Sequence, residues 1–286
     1  MPRDLSDVLH YFLPELDGAP ESPRDADRER RGRPETVLAT SPTRARRTGL
    51  ARPGTTPLPL SVLGVPIGER DVVHAAFTWN LAIEIARHGG ASVVLAPESD
   101  RDTPLWPGEG PGPLGSEVVY CPARNLAELR RAAAGLAEER SKTARRGGIV
   151  FTRIPPAWLA DAGETMDPIR WLLLFTSPRR QDTAATFERV KQLVGKQPGL
   201  DVGVTLHGVH RIAEARAAFD ELARSCEERL GSPIVSYGLL VDDLDVYRAI
   251  AAGRPIGIAY PQAPASRALR DVARLLYEDA RSRVLG

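Results

Sequence analysis

The sequence predicts an α/β fold, a mainly parallel sheet doubly wound with helices on both faces. Three observations carry this. From residue 58 to residue 281, short apolar runs of strand length alternate with longer segments whose apolar residues recur at helical spacing. Two of the short runs, at 149–152 and 171–176, are apolar throughout, as strands covered on both faces are. Strict alternation of this kind gives strand–helix–strand crossovers, which build parallel sheets. Such folds bind ligands at the carboxyl ends of their strands.

The elements follow in order. Residues 58–65 are a strand, and 71–88 a helix with Phe77, Leu81 and Ile85 along one stripe. A buried strand at 91–95 and another at 117–121 come next. Asn125 caps a helix, with Glu128 in capping-box position and Leu126, Leu129, Ala133 and Leu136 on the apolar side. Strands at 149–152 and 171–176 precede a helix through Phe187, Val190, Leu193 and Val194. Residues 202–206 return as strand, before a helix carrying Ile212, Phe219, Leu222, Cys226 and Leu230. A strand at 235–239, a helix at 245–252, an extended segment at 256–259 and a closing helix at 265–281 complete the domain, placed at 58–286.

Ahead of it, residues 1–16 read as a short amphipathic helix. Asp4 is an acidic cap, Leu5, Val8, Leu9 and Phe12 fall at helical spacing, and Pro14 ends the run. Residues 17–57 are rich in Pro, Arg, Glu, Ser and Thr with almost no apolar periodicity, which predicts a disordered linker. An apolar face tethered in this way has no obvious cover in its own domain. Leu5, Val8, Leu9 and Phe12 are therefore expected to dock into a groove on a protein partner.

The formal net charge is +1, which makes nucleic acid no default partner. Arg28, Arg30, Arg31 and Arg33, then Arg44, Arg46 and Arg47, form local basic clusters. Acidic residues interleave the first and no aromatic accompanies either, so both read as solvated linker and no DNA contact is expected. The two cysteines, Cys121 and Cys226, read as buried small side chains and not as a disulfide or zinc framework. The charged N-terminus and the lack of a run of ~20 apolar residues predict a cytoplasmic protein. The closing helix carries Leu269, Val272, Leu275 and Leu276 but no Lys-rich polar face, so it is expected in the core and not at a membrane.

Residues 61–99 resemble the opening of MinD/ParA and FlhG/FleN-type deviant Walker A ATPases. Asn80-Leu81-Ala82 matches the helix signature of those families, and Gly89 with Val93, Val94 and Leu95 matches the turn and second strand. Residues 173–178, the run 237–243 with Val246, Ala249 and Pro255, and residues 260–269 resemble the later motifs. The resemblance implies a P-loop NTPase-like fold of the SIMIBI type.

It also places the phosphate loop on residues 68–76, where only the first glycine, Gly68, survives. The family's dimer-crossing Lys is Glu69 here, its P-loop Lys is His74 and its Mg²⁺-binding hydroxyl is Ala75. The catalytic Asp after the second strand corresponds to Pro97 or its neighbour Glu98, and the Walker B Asp to Arg153. A P-loop works because glycines let backbone N–H groups wrap the phosphates while a Lys and a metal neutralise them. Glu69 and Asp71 bring negative charge instead, and the β-branched Val72 and Val73 resist glycine-like backbone angles. An Arg cannot ligate Mg²⁺. The set implies a pseudo-ATPase with no catalytic residue, cofactor or metal.

His207 corresponds to the family's base-contacting Asn, and His74 falls near the same pocket mouth. A metal or small-ligand pocket of His74, His207 and His210 competes with a plainer reading, that histidines fill the space left by the nucleotide. No third or fourth donor is evident, so no metal is expected. The resulting expectation is a regulatory or scaffolding protein that pairs with itself or with an active MinD/ParA-type ATPase. Two alternatives stand beside it: an ATPase with an altered nucleotide site, in spatial positioning, DNA partitioning or cell-division regulation, and a DNA-associated partitioning factor that uses the arginine linker.

Overall fold

A computed structural model describes residues 60–161 and 169–285. The expected N-terminal helix and linker lie outside the described residues, as does the start of the strand expected from residue 58. Among the described residues, eight strands form one sheet: β1 (Ser61–Pro66), β2 (Ala91–Pro97), β3 (Gly110–Pro111), β4 (Ser116–Cys121), β5 (Gly148–Ile154), β6 (Trp171–Thr176), β7 (Asp201–Val209) and β8 (Ile234–Val241), in the order β3-β4-β2-β5-β1-β6-β7-β8. Every neighbouring pair is parallel except β3 with β4.

The helices are α1 (Val72–Arg87), α2 (Leu126–Ser141), α3 (Pro156–Asp161), α4 (Arg180–Lys196), α5 (Ile212–Leu230), α6 (Leu244–Ala251), α7 (Ile256–Ala259) and α8 (Pro264–Leu285). The crossover through α1 runs from β1 toward one edge of the sheet, and those through α2, α4 and α5 run toward the other. Right-handed crossovers of opposite direction put their helices on opposite faces. α8 packs against α1 and completes its layer.

Helix α1 is buried almost all round, from Phe77 to Ile85, as suits a helix between the sheet and a second helix. Asn80, marked by the sequence, is a tie between elements: its Nδ2 donates to the Ala76 carbonyl at 2.8 Å and its Oδ1 accepts from the Gly257 amide at 3.3 Å, at the start of α7. Asn125 caps α2 as expected, accepting from the Glu128 amide at 2.9 Å, while the Glu128 carboxylate accepts from the Arg124 amide, one residue before the cap. Leu269, Val272, Leu275 and Leu276 of α8 are buried in the core, and Cys121 and Cys226 are buried and free. No helix among the described residues is long and apolar enough to cross a membrane.

The segment at 256–259 is a helical turn and not extended. Pro255 precedes it with its carbonyl turned to accept from the Ile258 and Ala259 amides, at 3.2 and 2.9 Å. Four residues, Ile-Gly-Ile-Ala, are too few for periodicity to separate a turn of helix from a strand.

One feature of the topology positions the site. The chain leaves β1 toward β2 and leaves the adjacent β5 toward β6, in opposite directions across the sheet. Beyond the carboxyl ends of two such strands the departing segments diverge and open a crevice.

Candidate functional site

Residues 67–71 connect β1 to α1 at that crevice. The connection is tight. Ile67 prolongs the β1–β5 pairing through its amide to the Ile154 carbonyl at 3.1 Å, and the Asp71 amide closes a turn on the Gly68 carbonyl at 3.2 Å. Helix α1 then starts at Val72 with Asp71 as N-cap.

A helix start carries unpaired N–H groups and the positive end of the helix dipole, and it attracts an anion. Here the Asp71 carboxylate is that anion. One oxygen accepts from the His74 amide at 3.2 Å and the other lies 2.6 Å from His74 Nδ1. Burial alone would raise the Asp71 carboxyl, but the contacts with His74 outweigh it and hold the group below the usual carboxylate range.

His74 in turn reaches across to β7. Its Nε2 is 2.9 Å from Nε2 of His207, and its ring stacks on Phe175 with centroids 5.1 Å apart and planes 21° from parallel. Burial, reinforced by the neighbouring His74, pushes the His207 imidazole down to about 4, so it is neutral at pH 7. These groups line a cavity of about 530 Å³ with Thr176, Ser177, Asp182, Arg189 and Tyr247. His210 is not part of it. It lies past the end of β7, beyond the turn of the chain at Gly208 (φ 65°), and is exposed, with its Nε2 3.3 Å from Asp242.

The second cluster lies at the end of β5. Arg153 is 1% exposed, and its Nη1 pairs with Oδ1 of Asp100 at 3.0 Å. Asp100, itself buried, accepts at its other oxygen from Trp106 Nε1 at 3.2 Å. Nε and Nη2 of Arg153 have no hydrogen-bond partner among the described residues. Burial raises the Asp100 carboxyl and lowers the Arg153 guanidinium, each by disfavouring charge. Their mutual attraction opposes both shifts, and the nearby Glu69 adds to the field that Arg153 feels.

The residues singled out by sequence thus fall into two groups. Asp71, His74 and His207 join at the cavity with Gly68 on its wall, and Arg153 pairs with Asp100 within the field of the exposed Glu69. Ala75 is fully buried in α1 and Pro97 closes β2 just before the turn Glu98–Asp100. Asp100 and Trp106 escaped the sequence reading, as did Asp182 and Tyr247. Phe175 lies inside a run already marked, 173–178, though with no role in the site assigned to it, whereas Asp100 carries no local signal. Among the described residues no group of three or more His, Cys, Asp and Glu side chains is placed to hold a metal ion.

No protein-family model and no curated protein sequence matches the chain. Solved structures do. The cell division protein MinD from Aquifex aeolicus is similar over 76% of this chain and 97% of its own, with a TM-score of 0.53 at 14% identity. The MinC:MinD complex of the same organism gives a TM-score of 0.52 at 15% identity, over 76% of this chain and 96% of the other. MinD with Mg-ADP from Pyrococcus horikoshii gives 0.52 at 12% identity, with the same two coverages. The fold is therefore that of the MinD-like P-loop NTPases, with its mostly parallel sheet of eight strands.

Proposed function

We propose that this chain is a catalytically inactive, MinD/ParA-like pseudo-ATPase that acts through protein–protein interaction. The observation that carries the reading is the Asp71 carboxylate at the N-terminus of α1. An NTPase of this fold needs that helix start for phosphate oxygens, and a fixed carboxylate both fills the position and repels a triphosphate. Three further features support the same reading. His74 stands where a P-loop lysine would be, and Ala75 offers no hydroxyl for Mg²⁺. A buried cation near the loop, the Arg153 guanidinium, is engaged with Asp100.

A protein without turnover acts by what it binds. The solved complex of a MinD with MinC makes a protein partner reasonable for this fold, and self-pairing or pairing with an active MinD/ParA-type ATPase belongs to the same proposal. Calorimetry of the full chain with Mg-ATP at millimolar ligand tests the reading. No saturable isotherm is expected, and a saturable one establishes the alternative, an ATPase with an altered nucleotide site.

The partner is assigned to the segment with Leu5, Val8, Leu9 and Phe12, which lies outside the described residues. Burying a Leu or Phe is worth roughly 1.5–3 kcal/mol, so Leu9→Glu with Phe12→Glu is expected to weaken capture of the partner by about two orders of magnitude. The melting temperature of the domain should stay within a degree or so. A fall of several degrees with capture intact assigns the segment to the core instead.

A further inference from the structure

We propose that the cavity binds a small zwitterion of the short-peptide class, with its ammonium group held at Asp182 and its carboxylate at Arg189. Helix α4 forms one wall, since Asp182, Ala185, Thr186 and Arg189 all line the cavity. Positions 182, 185, 186 and 189 share one helical face, so a carboxylate and a guanidinium border the same space two turns apart. At 1.5 Å per residue their backbones are separated by about 10.5 Å. Between them the wall is the small Ala185, and Phe175 of β6 and Tyr247 of α6 add aromatic surface.

The charged groups of the cavity are not equally committed. Asp71 pairs with His74, and His74 is hydrogen-bonded to His207, so that corner is satisfied from within. Asp182 is satisfied at one oxygen only: Oδ2 accepts from Ser177 Oγ at 2.5 Å, and Oδ1 has no hydrogen-bond partner among the described residues. Arg189 is exposed and makes no ion pair or hydrogen bond among the described residues. The wall therefore carries opposite free charges at its two ends. The field at the inner end agrees, because Asp182 acts on the His207 ring more strongly than Arg179, the other charged group from the start of α4.

A ligand with one charge meets an opposite charge at one pole and a like charge at the other. A zwitterion satisfies both. An extended chain advances about 3.3–3.6 Å per residue, which puts the charged ends of a dipeptide about 7 Å apart. The long Arg189 side chain covers the remaining distance, whereas the charges of a single amino acid lie too close together to reach both poles. A cavity of about 530 Å³ has room for a dipeptide with one aromatic side chain. The exposed Arg189 and Tyr247 mark its open end. The inference is independent of the pseudo-ATPase reading, and no nucleotide enters its test.

The test is calorimetry of the full chain with L-alanyl-L-phenylalanine, alongside its N-acetylated and its C-amidated forms. Wild type is expected to bind one equivalent of the dipeptide saturably, and each blocked form, which lacks one charge, at least about tenfold more weakly, as the loss of a charged hydrogen bond implies. Arg189→Gln sits at an exposed position and keeps the fold. It should weaken the dipeptide by a similar factor and leave the amidated form unaffected. Asp182→Asn should weaken the dipeptide and leave the N-acetylated form unaffected, with its melting temperature reporting any cost of the altered Ser177 contact. Absence of saturable dipeptide binding in wild type overturns the proposal. Sensitivity at one pole only also overturns it, by making the ligand a simple cation or anion, and indifference to both variants overturns it by placing the peptide elsewhere.

Discussion

Two charged clusters stand at the carboxyl ends of adjacent central strands, and they are built on opposite terms. Arg153 and Asp100 are sealed: both side chains are under 5% exposed, and two guanidinium nitrogens have no hydrogen-bond partner among the described residues. Asp71, His74 and His207 line a cavity, with Asp71 paired to His74 and His74 hydrogen-bonded to a neutral His207. A sealed pair is coupled to folding because either charge left alone inside the protein is expensive. An open cluster is coupled to whatever enters the cavity, because water can replace a lost partner. The first should therefore register in stability and the second in binding.

The largest effect is expected from breaking the sealed pair. Arg153→Ala leaves the Asp100 carboxylate buried without its cation, which typically costs 3–5 kcal/mol, or about 10 °C in melting temperature for a domain of this size. Arg153→Met with Asp100→Asn removes both charges and keeps an acceptor for the Trp106 indole. It should recover more than half of the loss, because a buried ion pair is worth little against a packed neutral replacement. Thermal melts of the two proteins decide the matter. A single variant that melts like wild type would show that Asp100 finds water or a proton in place of its cation, and the contrast between the clusters would fail.

Asp71 gives a smaller and pH-dependent effect. Asp71→Ala removes an N-cap, at about 1 kcal/mol. The sign of the pH dependence follows from the direction of the shift: Asp71 is held below its ordinary value in the folded state, so its contribution is complete above that value and disappears as pH falls through the lowered one. The stability gap between wild type and Asp71→Ala should therefore be full at neutral pH and close in acid. A gap that widens on acidification would mean that the Asp71–His74 contact is absent in solution.

These contrasts also mark what the sequence could and could not reveal. The alternation of strand and helix was legible because burial on a sheet and burial on a helix impose different periods, and the long elements matched to within one or two residues at most ends. Short elements were not, since residues 256–259 and α3 are too brief to show a period. His74 and His207 could be placed at one pocket mouth, but Arg153 looked like a simple loss. Its partner Asp100 lies in a turn after another strand and shares no spacing rule with it. Buried charge pairing is a tertiary fact, fixed by which strands are neighbours and not by local pattern.

The smallest effect is predicted at Gly68, and it tests whether the open cluster still depends on the loop that gave the family resemblance. In a loop that wraps phosphate, glycine is needed because the backbone must approach the ligand closely or take angles that a side chain forbids. Gly68 meets neither condition here. It is absent from the residues with positive φ, and a Cβ built on it finds only the Cβ of Asp71, at 3.7 Å, an ordinary van der Waals contact. By contrast, a Cβ at Gly203 would lie 2.2 Å from the buried ring of Tyr237. Gly68→Ala should thus shift stability by no more than about 0.5 kcal/mol, or raise it slightly by restricting the unfolded chain. Gly203→Ala serves as the destabilised reference in the same melts. If Gly68→Ala instead costs as much as Gly203→Ala, the 68–71 turn uses backbone freedom that a tight, ligand-free connection has no need of, and the loop would have to be regarded as one that still receives a ligand.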